Sequence, residues 1–221
     1  LRFAKLISVR DKEHSIRDLK EIGVFDDKKV ISLFDDALFC EELAKEKFQD
    51  IIEQEYGIIP GEKYIAFNSH YWKVKKDTVH GSLKIMADQL NQICHSGYKL
   101  LLIAMDPVDV MTLEIMKSYL AIPSFVVNIG LNIPHIVSLF RNAFITITMK
   151  HHPIVFSMGG SVPVLSIAFD EYYSHKNNGA LSLFGQEKNS LFFVEETFSK
   201  DFPENLSKIM NTKVWAWAIT V

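Results

Sequence analysis

The chain has 221 residues, 48% of them hydrophobic and 16 of them Phe, with a formal charge of −3. This allows one large domain, or one domain with part of another, around a sizeable core, and it excludes a disordered chain. No basic stripe of the kind nucleic-acid binding needs is present: Lys73, Lys75 and Lys76 form the densest cluster, which ends at Asp77 and reads as a solvated loop. Cys40 and Cys94 stand far apart, with no Cys or His at zinc-ligand spacing, so no metal site is expected. Reduced thiols fit a cytoplasmic protein. No apolar run is long enough to span a membrane and no signal-peptide pattern is seen. The sequence opens at Leu1 in what reads as the middle of a fold, so a fragment, a processed form or disordered residues upstream are expected.

Ile7–Val9 is predicted as a strand that runs into a polar turn at Arg10, Asp11 and Lys12. Ser15–Ile22 follows as a helix with Ile16, Leu19 and Ile22 on one face, stopped by Gly23. Val30–Leu33 reads as a strand and Glu41–Tyr56 as a longer helix. Gly57–Gly61, with its Pro and two Gly, reads as a linker, dividing residues 1–57 from 62–221. Beyond it strands and helices alternate: strand Tyr64–Asn68, helix Thr78–Ser96, strand Lys99–Met105, helix Val108–Leu120, strand Phe125–Asn128 and helix Ile133–Phe140. Strand Phe144–Thr148, short helix His152–Met158, strand Val164–Ala168 and a last strand Leu191–Val194 complete the pattern. It predicts an α/β fold with a parallel sheet flanked by helices on both faces.

Ligands of such sheets bind beyond the carboxyl ends of the strands. That rule points to Ser69–Trp72, Asp106–Pro107, Asn128–Gly130, Met149–His152 and Phe169–Tyr173. His80, His95 and His135 fall within helices, as surface or packing residues. The most informative stretch is Phe144–Gly185. Its strand delivers Lys150, His151 and His152 to a helix start, where free backbone N–H groups and a cation suit phosphate or carboxylate. Any one of the three taken alone is more often a solvated loop residue. Gly159-Gly160 matches no phosphate-loop pattern and reads as the end of a helix.

Lys150-His151-His152, Ile154-Val155-Phe156, Gly160-Ser161-Val162-Pro163, Val164–Ala168 and Asp170 together resemble the signature of the polysaccharide pyruvyl transferase family. In that family a strand ends in Arg-x-His, followed by an apolar helix, a Gly-Val-Pro-like turn, a strand and an Asp. Val9-Arg10-Asp11 with Ser15 and Leu19, and Asp35-Asp36-Ala37-Leu38-Phe39, resemble its earlier blocks in the same order. The chain is similar to the C-terminal catalytic half of such a protein. The resemblance implies a GT-B-like architecture of two Rossmann-like domains, with most of the first absent from this sequence.

The resemblance also implies transfer of an enolpyruvyl unit from phosphoenolpyruvate to a sugar hydroxyl in exopolysaccharide synthesis, without a cofactor. It places Arg10 and Lys150 on the donor's anionic groups. His152 is the candidate for phosphate contact or proton transfer, and Asp170 orients His152 or a substrate hydroxyl, or caps the next helix. His151, Tyr172, Tyr173, His175 and Lys176 join the candidate substrate site, and Tyr71 and Trp72 offer further aromatic faces. Lys150 departs from the family's Arg, and the Lys expected soon after Asp170 is replaced by Tyr172 and Tyr173, a gap His175 and Lys176 are expected to fill. Expected partners are phosphoenolpyruvate and a sugar or lipid-linked glycan acceptor, not nucleic acid. Contact with the inner face of a membrane and a homo-oligomer are left open. The aromatic tail Val214–Ile219 reads as a closing element, a dimer contact or an edge onto a membrane surface. Nucleotide-sugar glycosyl transfer and a non-catalytic, partner-binding half are the competing readings.

Overall fold

The computed structural model describes residues 3–211, except 12, 13, 72, 96, 129 and 131. Trp72 and the tail 214–219 lie outside the described residues. β1 (Ile7–Val9), α1 (His14–Glu21) and β2 (Val30–Ser32) make a small unit in which the two strands pair in parallel. Asp11 starts α1: its Oδ1 accepts from the amides of His14 (2.7 Å) and Ser15 (3.1 Å), and its Oδ2 from the Ser15 hydroxyl (2.5 Å). These bonds satisfy the donors that a helix leaves unpaired at its first turn. A 3-10 turn, Asp36–Phe39, and α2 (Lys45–Tyr56) lead to the main sheet.

The main sheet takes β3 (Lys63–Asn68), β4 (Tyr98–Ile103), β5 (Ser124–Val127), β6 (Ile145–Thr148), β7 (Val164–Ala168) and β8 (Ser190–Phe192). The spatial order is β5-β4-β3-β6-β7-β8, and every pairing is parallel. The connecting helices are α3 (Lys76–Cys94), α4 (Asp109–Tyr119), α5 (Ile133–Arg141), α6 (His151–Gly159) and α7 (Glu171–Ser182), with α8 (Phe198–Asn211) after β8. Alternation along each strand feeds two cores. Ile65, Phe67, Leu100, Leu102, Ile145 and Ile147 pack with α3, α4 and α8 on one face. Tyr64, Ala66, Leu101 and Ile103 pack with α2 and α5 on the other.

The predicted α/β architecture is the one observed, with differences at element ends. Residues 41–44 are not helical: the Leu43 amide donates to Ser138 Oγ (2.8 Å), and this tie holds the segment against α5. Helix α8 is not among the predicted elements, and it carries Pro203 in its interior, where Pro disfavours a helix. Burial decides in its favour, for Phe198, Phe202 and Leu206 are fully enclosed. Gly159 closes α6, and the reason for the second glycine is close approach. A Cβ on Gly160 would lie 2.6 Å from Arg141 Cα, against the end of α5.

Chain order reverses between β3 and β6: the sheet grows outward from β3 through β4 to β5, then returns to β6 beside β3. The crevice beyond Asn68 and Thr148, which pair in register, is therefore the topological switch point. The carboxyl ends of β1 and β2 meet the same end of the sheet, where Asp35, just after β2, lies 2.9 Å from His151.

Candidate active site

Two polar clusters stand at this end of the molecule. The first joins the small β–α–β unit to α6. Arg10 Nη1 donates to Asp35 Oδ2 (2.8 Å), and that oxygen also takes a bond from His151 Nε2 (2.9 Å). Partial burial works against the Asp35 charge, but the Ala37 amide, His151 and Arg10 outweigh it and bring the carboxyl down to about 2. His151 is buried, and the loss of water pushes its imidazole down to about 4 against the pull of Asp35. The pair is thus a carboxylate with a neutral imidazole donating from Nε2, which leaves His151 Nδ1 buried without a partner. Three blocks of the family-like pattern, at residues 9–11, 35–39 and 150–152, meet at Asp35, which sequence reasoning left off the site.

Beside this cluster a pocket of about 330 Å³ opens between α1 and α7. Of the expected residues, Arg10, His151, Tyr172, His175 and Lys176 line it. His14 and Arg17 line it too and were missed, because neither belongs to a strand-end loop or to the family-like blocks. His14 stacks on His175 at 4.3 Å, and Lys176 Nζ stands 5.7 Å over the Tyr172 ring. Asp11 lies in the wall, but its oxygens are taken up by α1. Gly179 lets α7 come this close: a Cβ there would stand 3.0 Å from Asp11 Cβ.

The second cluster fills the switch-point crevice. Asp109, whose carboxylate is fully buried, accepts from Lys150 Nζ (2.8 Å), the Met105 amide (3.0 Å) and Asn68 Nδ2 (3.3 Å) on Oδ2, and pairs with His70 Nδ1 (3.2 Å) through Oδ1. Burial opposes the charge, yet the bonds from His70 and Lys150 and the Lys150 charge hold the carboxyl below its ordinary value. His70 Nε2 meets the Tyr173 hydroxyl at 3.1 Å. Asn68 also donates to the Ile103 carbonyl (2.9 Å), tying β3 to β4. His70 and Tyr173 come from loops the strand-end rule picked out; Asp109, at the start of α4, carried no such mark.

Two of the expected site residues have definite partners. The Lys150 ammonium is engaged by buried Asp109. Of the roles offered for Asp170, the contact present is the cap: its Oδ1 accepts from the Tyr173 amide (2.7 Å) at the start of α7. His152 is exposed, stacked on Phe156 and edge-on to the ring of His151. The protein around it strips enough water to lower its imidazole below the usual histidine value; Lys176, Arg10 and Lys150 add to the shift and Asp35 opposes it. Among the described residues, no group of three or more His, Cys, Asp or Glu is placed to hold a metal ion. No described helix is long and apolar enough to cross a membrane.

The sequence model of the polysaccharide pyruvyl transferase family matches residues 1–171, which takes in both clusters up to the start of α7. The chain belongs to this family. No curated protein matches it significantly. Among solved structures, a glycosyl transferase family 9 protein from Veillonella parvula DSM 2008 is 14% identical with a TM-score of 0.52, over 89% of this chain and 52% of that one. A glycosyltransferase from Rickettsia africae ESF-5 is 15% identical with a TM-score of 0.54, over 93% of this chain and 54% of that one. These likenesses show a fold shared with GT-B glycosyltransferases. This family member spans about half the length of the solved structures it matches.

Proposed function

We propose that this chain binds phosphoenolpyruvate in the pocket between α1 and α7 and takes part in its transfer to a sugar or lipid-linked glycan acceptor in polysaccharide synthesis. The observation that carries the reading is the lining: Arg10, Arg17 and Lys176, with His14 and His175, around a pocket of about 330 Å³ in a member of this family. Phosphoenolpyruvate is compact and carries a phosphate and a carboxylate, so closely spaced cations are what it needs. A nucleotide sugar would also require surfaces for a base and a ribose. Lys176 takes the place of the family Lys missing after Asp170. Among the described residues no carboxylate pairs with it, so its charge is available to an anion. We read residues 1–57 as the end of a first Rossmann-like domain with its connecting helix.

The reaction needs a proton on the methylene carbon, which makes C2 electrophilic. One sugar oxygen attacks C2, phosphate leaves, and a second oxygen closes the ketal. The two protons lost by the hydroxyls balance those gained by the new methyl group and the departing phosphate. His152 is the proton donor in this reading. An incoming anion offsets Lys176 and Arg10, so the imidazole gains a proton as the donor binds.

Calorimetric titration of the chain with phosphoenolpyruvate and with nucleotide sugars tests the proposal. Saturable binding of phosphoenolpyruvate is expected, weakened about tenfold or more in Lys176→Ala and Arg17→Ala, with the unfolding temperature unchanged. Binding of nucleotide sugars alone would move the protein to glycosyl transfer. Silence toward both would leave a partner- or glycan-binding half.

A further inference from the structure

Tyr173 was expected to offer an aromatic face to a sugar. Its surroundings give it a different role. The Asp109 carboxylate, His70 and Tyr173 form an unbroken hydrogen-bonded line at the switch point, with 3.2 Å from Asp109 Oδ1 to His70 Nδ1 and 3.1 Å from His70 Nε2 to the Tyr173 hydroxyl. The three come from separate places: the loop after β3, the start of α4 and the first turn of α7. Burial decreases along the line. The Asp109 side chain is fully enclosed, His70 is 11% exposed, and Tyr173 is half-buried. Only the last member is open enough to meet a group from outside.

The polarity of the line follows from its buried end. Asp109 is ionised and takes three other donors besides His70, so it accepts the Nδ1 proton. The ring is then the tautomer whose Nε2 accepts, and the Tyr173 hydroxyl donates to it. A phenol donating its proton inward keeps its lone pairs for a hydroxyl that arrives from outside. The arrangement is that of a nucleophile–imidazole–carboxylate line with a tyrosine in the outer place.

We infer that Tyr173 is a catalytic residue, the base that receives the proton of an attacking sugar hydroxyl, with His70 and Asp109 as its positioning residues. This rests on the pyruvyl-transfer reading above. As the sugar oxygen bonds to C2, its proton passes to the Tyr173 oxygen and the tyrosine's own proton passes to His70 Nε2. The imidazolium so formed is held by Asp109. When the phosphate leaves, the proton returns through Tyr173 to it or to water, which restores the line.

The test follows phosphate release from phosphoenolpyruvate by the full chain. The acceptors are methyl hexopyranosides with two free hydroxyls placed to close a ring on one carbon. Tyr173→Phe keeps the ring and its packing and removes only the hydroxyl. Turnover is expected to fall about 10²–10⁴-fold, with the dissociation constant for phosphoenolpyruvate unchanged. His70→Gln is expected to fall alike, and the double variant no further, because members of one proton line are not additive. A merely structural role would instead add the two losses and lower the unfolding temperature. Turnover of Tyr173→Phe within about threefold of the wild type would overturn the assignment. So would a wild-type chain that binds phosphoenolpyruvate and turns over none of these acceptors. Failure to bind phosphoenolpyruvate at all is a separate result and removes the underlying reading.

Discussion

Lys150→Ala is the substitution on which the two views of this residue part. If Lys150 grips the donor, its loss removes binding and spares the fold. In the structure its ammonium lies 2.8 Å from the Asp109 carboxylate, with side-chain exposures of 18% and 0%. Removing one partner of a buried ion pair typically costs about 3–5 kcal/mol. Here the stranded carboxylate keeps His70, Asn68 and the Met105 amide, and water can enter where Lys150 reached the surface. We therefore expect about 2–4 kcal/mol.

Urea unfolding followed by tryptophan fluorescence measures this loss, and Asp109→Asn with its double variant completes a cycle. Neutralising Asp109 removes the stranded charge, so the double variant should be more stable than the sum of the single losses predicts, by about 1 kcal/mol or more. Folded Lys150→Ala should still bind phosphoenolpyruvate. A variant within about 0.5 kcal/mol of the wild type that no longer binds the donor would refute the reasoning and return Lys150 to the anion site.

Three further outcomes follow from the same geometry. His151 is held near 4 in the folded chain against about 6.5 unfolded. Its share of stability is therefore full above pH ~6.5 and lost as pH falls toward ~4; urea midpoints across this range should decline, and His151→Gln should flatten the slope. Gly160→Ala should cost more than Gly159→Ala, because the new methyl meets the Arg141 backbone at position 160 but the movable Arg141 side chain at 159; paired thermal melts give the order. Phosphoenolpyruvate binding near pH ~6.5 should take up protons in the wild type and fewer in His152→Gln, read from calorimetric enthalpies in buffers of different ionisation heat.

The sheet was legible because β3, β4, β6 and β7 are short segments rich in apolar and β-branched residues alternating with helical patterns, and β4, buried on both faces, is an almost continuous apolar run. Helix α8 was legible in part: Phe198, Phe202, Leu206 and Ile209 recur at helical spacing, but the propensity of Pro203 pointed the other way and tertiary burial overrode it. The site was readable as far as local order goes. Strand ends and the Lys150-His151-His152 run marked the right end of the sheet. Partner choice was not readable, since Lys150 finds Asp109 41 positions away and His151 finds Asp35 116 positions away. Neither carboxylate sits in a motif that names its partner. Tertiary pairing also separated two neighbours: the side chain of His151 turns inward to Asp35, and His152 stays exposed against Phe156.

The Arg-to-Lys departure at position 150 takes on a physical meaning in this frame. An ammonium is a compact point charge, and one is enough to neutralise a carboxylate that three other donors already hold. A guanidinium spreads its donors over a plane and is suited to two acceptor oxygens at once. Asp109 Oδ1 is already engaged by His70, so a fork in that place would compete with the imidazole for its anchor. With Lys, the carboxylate keeps His70 in the tautomer that lets Tyr173 donate, and the pair is neutral as a whole. The pocket between α1 and α7 carries cations of its own, with Arg10, Arg17 and Lys176 in its lining. Lysine at position 150 keeps the positive charge an arginine would bring, so what the exchange alters at the switch point is geometry: a single ammonium sits on Oδ2 and Oδ1 is left to the imidazole.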